Sequence, residues 1–152
     1  MVDVVHDPAP RLIDHPGLRA LYDYWDGCRQ GGRLPGRQHI DPLHIPDLLP
    51  NLMLFDVAAP DELCYRLVGT ALVTRLGRDP TGLPAQDGYL GKDWEKIRPD
   101  YLYVIAERRP CLRWNAVLGP RAKRLPYQRL LLPLARDGAT VDMLLAGVYW
   151  LD

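Results

Sequence analysis

The stretch Tyr65–Gly82, YRLVGTALVTRLGRDPTG, decides the order of the elements around it. Leu63, Tyr65 and Leu67 alternate with Cys64, Arg66 and Val68, the period of two that a half-buried strand shows. Gly69 offers backbone conformations closed to other residues, and Thr70 is an N-cap residue type for a short helix over Ala71–Leu76. Gly77 stands where a left-handed C-cap belongs. Asp79-Pro80-Thr81-Gly82 fits a type I turn, with Asp first, Pro second and Gly fourth. The chain therefore runs from a strand through a short helix into a tight turn.

Upstream, Asn51–Ala58 is an almost wholly apolar strand, and Ala59-Pro60-Asp61 turns it into a second strand over Glu62–Gly69. Before that hairpin, residues 31–50 form a proline-rich connection with Pro35, Pro42, Pro46 and Pro50. A helix over Pro16–Gln30 precedes it and ends at Gly31-Gly32. Leu18, Leu21, Tyr22, Trp25 and Cys28 make one apolar stripe on that helix, opposite Arg19, Asp23, Asp26 and Arg29. Residues 1–14, rich in Asp and Pro, are expected as a loose lead-in to one domain over residues 15–152.

Downstream, residues 83–92 are a glycine-containing loop, and a longer helix covers Trp94–Arg108. Pro99 is expected to start the main part of that helix after a short turn. A meander follows: strands over Pro110–Leu118, Arg124–Ala135 and Val141–Leu151. Both faces of the last strand are apolar beyond Asp142, so both require cover. The helical block covers one. The Leu18–Cys28 stripe covers the other, from the same chain or from a partner.

The same stretch, with YWDGCRQGGRLPGRQHIDPLHIPDLLPNLMLFDV at Tyr24–Val57, resembles the bacterial single-domain PAS proteins of the alphaproteobacterial type. Its marks are the tryptophan-bearing helix, the Arg-, Ile-Asp-Pro- and Leu-Leu-Pro-containing connection, and the YRLVGT strand, in that order over residues 18–151. The order of elements reaches the same α+β class independently. The resemblance implies a five-stranded antiparallel sheet with its last strand beside its first, a helical block on one face, and the N-terminal amphipathic helix. It also implies a homodimer through that helix and the outer sheet face.

Composition bounds the function classes. The chain has 152 residues, with 19 Lys and Arg against 19 Asp and Glu, so its overall charge selects neither nucleic acid nor an anionic membrane. Cys28, Cys64 and Cys111 are odd in number and lie in apolar patterns, as free thiols of a reducing compartment do. No leader-like start and no apolar run of membrane-spanning length occur, so a cytoplasmic protein is expected. Arg108, Arg109, Arg113, Arg121, Lys123, Arg124 and Arg129 follow one another without an acid and are expected as a basic outer patch on an edge hairpin. Three readings of that patch compete: a solvated edge, which is favoured, a contact with an acidic surface of another molecule, and a nucleic-acid contact, which is least favoured because no recognition helix or aromatic platform accompanies it.

Cofactor and metal chemistry find little support. His6, His15, His39 and His44 all precede the first strand of the hairpin, whereas the family's haem ligand lies on or near the long helix. No flavin-reactive Asn-Cys-Arg motif is present, and His39, Asp41 and His44 lack a metal-site spacing. No phosphate loop, nucleophile elbow or paired-carboxylate pattern supports catalysis. A cavity between the inner sheet face and the helices remains, with Tyr65, Leu67, Leu72, Leu76, Tyr101, Ile105, Trp114, Tyr127 and Tyr149 as candidate lining. Arg66 and Arg78 are candidate anion contacts, Arg78 having the alternative of tying down its turn through Asp79.

Three functions compete at this point. The first is a sensory or regulatory domain that binds a small ligand or protein partner and signals in trans. The second is a ligand-free interaction scaffold with a filled core. The third is an enzyme on another cone-shaped α+β fold, like the nuclear-transport-factor group, disfavoured because two strands precede the main helical block.

Overall fold

A computed structural model describes residues 3–89 and 93–152. Six antiparallel strands form one sheet: β1 (Val4–His6), β2 (Leu52–Ala59), β3 (Glu62–Val68), β4 (Cys111–Leu118), β5 (Arg124–Leu134) and β6 (Met143–Trp150). Their spatial order is β1-β4-β5-β6-β2-β3, so the last strand lies between β5 and β2. Helices α1 (Pro16–Gly27), α2 (Thr70–Leu76) and α3 (Trp94–Glu107) complete the α+β architecture. The central strand β6 aligns Leu145 with Leu54 on one side and with Leu132 on the other.

The sixth strand corrects the expectation of a loose lead-in and a five-stranded sheet. Val4, Val5 and His6 pair with Arg113, Leu112 and Cys111, and His6 stacks on Tyr103 with ring centroids 4.1 Å apart. β-Branched residues on a short strand close the β4 edge, which would otherwise present unpaired backbone groups. Ile13 is also buried, so residues 3–14 belong to the folded body.

Helix α1 lies across the outer face of β5 and β6 in the same chain. Leu18, Leu21 and Trp25 are fully buried there, Tyr22 and Cys28 partly so. The Trp25 indole N–H donates to the Pro133 carbonyl at 2.9 Å. At Gly147 an added Cβ would lie 2.7 Å from Leu21 and 2.9 Å from Leu18, so the missing side chain lets the helix settle. The stripe is thus covered in cis, a contribution of several kcal/mol at ~25 cal/mol/Å². The helix stops at Gly27 instead of Gln30, and the His15 imidazole caps its start by accepting from the Gly17 N–H at 3.1 Å.

The Tyr65–Gly82 stretch keeps its strand, short helix and turn, with three changes of detail. Gly69 has ordinary angles (φ −66°, ψ 152°); it must be glycine because a Cβ would lie 2.3 Å from the Pro50 carbonyl oxygen. Thr70 is the first helical residue and makes no capping bond. The turn closes one residue later than expected: the Leu83 N–H donates to the Pro80 carbonyl at 2.9 Å, and Gly82 takes the left-handed φ of 91° that such a turn requires. Gly77 does adopt the left-handed C-cap, at φ 77°. Backbone bonds between Tyr65 and residues Gly82 and Leu83 cover the β3 edge.

Helix α3 is continuous from Trp94, with Pro99 inside it and not at its start. Arg108 ends it in a left-handed conformation, φ 59°. Ile97, Tyr101 and Val104 bury its inner side against the sheet.

Candidate functional site

Alternation along β5 places Tyr127, Arg129 and Leu131 on the inner face, and register sets Arg113 of β4 directly opposite Arg129. Asp100 and Tyr101 reach down onto them from α3. Asp100, Arg113 and Arg129 are 1%, 6% and 1% exposed. The Arg129 Nη2 donates to Asp100 Oδ2 at 2.6 Å, and the Arg113 Nη2 donates to Oδ1 at 3.1 Å. The Arg113 Nε donates to Oδ2 as well. The Arg129 guanidinium also lies over the Tyr101 ring, 5.1 Å from its centroid.

Burial pushes the Asp100 carboxyl up, but bonds from Arg113 and the charge of Arg129 outweigh it and hold the group below its ordinary value. Burial raises the Tyr101 hydroxyl to about 12 and the Cys111 thiol to about 11, so both stay neutral near pH 7. The Arg129 Nε and Nη1, the Tyr101 hydroxyl and the Tyr65 hydroxyl have no protein hydrogen-bond partner among the described residues. Buried donors without partners are rare, and here the Tyr101 ring lies against the Arg129 guanidinium.

Beside this cluster lies a cavity of about 30 Å³ between the inner sheet face and the helices. Leu72, Leu76, Tyr101 and Tyr127, four of the residues named from sequence, line it. Met53, Tyr89, Val117, Arg129, Val148 and Trp150 complete the wall and were not among those candidates. Tyr65 is buried nearby against Phe55 and Tyr89 but does not reach the cavity.

The other candidates lie elsewhere. A register shift between Leu54 and Phe55 sends Leu67 to the outer face, 46% exposed. Arg66 is exposed and pairs loosely with Asp56 at 3.7 Å. Arg78 donates to the Gly88 carbonyl at 2.7 Å and rests on the Tyr89 ring; Asp79 instead accepts from Thr81. Ile105 faces an open groove with Val57 and Val141. Trp114 stands opposite Gln128 on the outer face, and Tyr149 packs there on His15, ring centroids 4.2 Å apart.

The basic run also divides. Arg113 and Arg129 turn inward to Asp100, Arg109 pairs with Asp7, and Arg124 pairs with Asp93, while Arg108, Arg121 and Lys123 stay exposed. In the proline-rich connection, the His39 Nδ1 accepts from the Gly36 N–H, and His44 meets Asp41 and the Tyr24 hydroxyl. His6, Asp100 and Cys111 bring three ligand-type atoms within 4.8 Å of one another. Two guanidiniums on that aspartate and a protonated thiol make this a poor place for a cation.

The sequence profile of the PAS domain family matches residues 13–149. The chain belongs to the PAS domain family. Among solved structures this PAS domain is similar to the Rhodobacter sphaeroides LOV protein, with a TM-score of 0.54 and 16% identity over 66% of this chain and 58% of that one. It is similar too to the PAS domain of Bordetella pertussis BvgS, with a TM-score of 0.54 and 14% identity over 74% of this chain and 88% of that one. A third likeness is to a light-oxygen-voltage domain whose mechanism was probed with a flavin analogue, at a TM-score of 0.55 and 14% identity over 72% of this chain and 83% of that one. This PAS domain spans less than two thirds of the Rhodobacter chain, and no curated protein sequence matches it. At such identities the likeness concerns the fold alone. A flavin does not fit the cavity: its 30 Å³ is about a tenth of the smallest ordinary ligand pocket, roughly 300 Å³.

Proposed function

We propose that this PAS domain is a sensory or regulatory module of the bacterial single-domain kind, which binds a small ligand beneath α2 and α3 and signals by contact with a partner. The observation that carries the reading is the apolar cavity under Leu72 and Leu76, beside the buried cluster of Asp100, Arg113 and Arg129. Asp100 ties α3 to β4 and β5, so a ligand in the cavity beside that cluster alters the hold of the helix on the sheet. The role is non-catalytic in this reading, since the Cys111 thiol stays protonated and the Asp100 carboxylate is fully engaged.

Output through a homodimer and a cytoplasmic setting are parts of the same proposal. The Leu18–Trp25 stripe is buried in cis, so self-association would use other surface. No helix of the described residues is long and apolar enough to cross a membrane.

A second reading, a ligand-free interaction scaffold, draws on the small size of the cavity. Protein purified from its own source, denatured, and analysed for released small molecules by mass spectrometry separates the two. A compound released in proportion to protein supports the sensor. Release of nothing, together with a sedimentation coefficient indifferent to added metabolites, supports the scaffold.

A further inference from the structure

A recess of about 160 Å³ lies where the C-terminal ends of α1 and α3 come together beside the exit of β1. It shares no lining residue with the cavity under α2 and α3. Its wall carries both signs of charge: Arg29, Arg108 and Arg109 against Asp7 and Glu107. Asp7 is taken by Arg109 at 3.0 Å. Arg29 meets Asp26, which stands off the wall, only at 3.7 Å, and its guanidinium lies over the Trp25 ring, 5.1 Å from the centroid, which fixes its plane. Neither Arg108 nor Glu107 has an ion-pair partner among the described residues. Arg108 also holds a φ of 59°, a conformation that favours glycine, so its guanidinium stands at the recess at a conformational cost. Strained residues of this kind cluster at functional sites.

We propose that this recess binds a small zwitterion, an α-amino acid with a short polar side chain, its carboxylate on Arg29 and Arg108 and its ammonium on Glu107. The C-terminus of α3, which ends at Glu107, adds partial negative charge for the ammonium. A simple anion would meet Glu107 and that helix terminus, and a simple cation would meet the two arginines. A ligand of both signs satisfies all of them through charge-assisted hydrogen bonds, the stronger kind. At 160 Å³ the recess holds roughly ten water-sized groups, the size of glutamine. A molecule held there joins α1 on the outer face of the sheet to α3 on the inner face, around the β1 edge.

Isothermal titration calorimetry of the full chain at pH 7.0 tests this with L-glutamine and L-serine. The controls are N-acetyl-L-glutamine, which lacks the ammonium, and L-glutaminamide, whose α-carboxyl is an uncharged amide. At least one of the amino acids is expected to bind saturably, and the two blocked forms at least about tenfold more weakly than L-glutamine, the value of one charged hydrogen bond. Arg108→Gly removes the guanidinium and suits the left-handed backbone, so it should weaken binding about tenfold while the thermal midpoint holds or rises. Glu107→Gln, at an exposed position, should weaken binding by a similar factor with the fold intact, and it carries the test if Arg108→Gly does not fold.

No saturable binding of either amino acid would overturn the proposal, and so would binding unchanged in folded Arg108→Gly and Glu107→Gln proteins. N-acetyl-L-glutamine binding as tightly as L-glutamine would make the recess an anion site, and L-glutaminamide doing so would make it a cation site; either overturns the zwitterionic assignment. Leu76→Phe, which narrows the separate cavity under α2, is expected to leave amino-acid binding unchanged. Binding lost in a folded Leu76→Phe protein would move the ligand to that cavity and away from the recess.

Discussion

Arg129 of β5 and Asp100 of α3 meet at 2.6 Å, each about 1% exposed, and so lock the long helix onto the inner face of the sheet. Arg113, the cross-strand neighbour of Arg129, holds the second oxygen of the same carboxylate. The helix that covers the cavity is thus fastened by one buried acid shared between two strands.

Removing that acid has a defined consequence. Asp100→Asn leaves two buried guanidiniums without a counter-charge and is expected to lower unfolding free energy by about 3–5 kcal/mol in urea titration. Replacing all three members with apolar residues (Asp100→Leu, Arg113→Met, Arg129→Met) is expected to cost less than the single change. A triple variant weaker than Asp100→Asn would show that the cluster stabilises the fold outright.

The same carboxylate sets a pH dependence. Its folded pKa lies below its unfolded value of about 3.9, so the cluster contributes fully above that value and loses its contribution as pH falls through the folded pKa. Wild-type stability should fall below about pH 4 more steeply than that of Asp100→Asn, as read by urea midpoints across pH 2–7. Parallel curves would remove Asp100 from the account.

Gly69→Ala tests the contact between the β3–α2 joint and the preceding connection. The new methyl would sit 2.3 Å from the Pro50 carbonyl oxygen, so the backbone must shift, at a cost of about 1–3 kcal/mol. Thermal unfolding measures it. An unchanged midpoint would mean that the Leu49–Pro50 segment moves aside freely.

Trp25 is buried against its own sheet, so Trp25→Ala is expected to lose about 3–5 kcal/mol. Trp25→Glu should unfold the protein and not release a well-folded monomer, as sedimentation combined with near-ultraviolet circular dichroism distinguishes. A native-like Trp25→Glu monomer would return the stripe to a subunit interface.

The element order was legible because β2, β3 and the final meander have clear periodicity between strong turn signals, and because the Leu18–Cys28 stripe demands a partner surface. Val4–His6 was not: three residues carry no period, and only the open β4 edge explains their pairing. The register shift after Leu54 reversed the face of Leu67, which strict alternation assigns inward. The two faces of the last strand are separable in sequence, but which one meets α1 is not: Tyr149, a cavity candidate by sequence, packs on the outer face, and Val148 and Trp150 line the cavity.

The charge cluster was hidden because its members are distant in sequence and resemble surface residues one at a time. Arg113 and Arg129 sat in a basic run, and Asp100 follows the proline of an otherwise polar helical turn. The available signal was alternation: each arginine occupies the inward phase of its strand, flanked two residues away by buried Cys111 and Leu131. A charge in an inward phase requires a buried partner.

Whether a ligand acts at the cavity beside Arg129 is decided by a high-resolution crystal structure of protein purified from its own source. Non-protein density in the cavity under Leu72 and Leu76 is the expected result. A cavity that is empty, or filled by the side chains of Leu72 and Leu76, would contradict the ligand-binding reading.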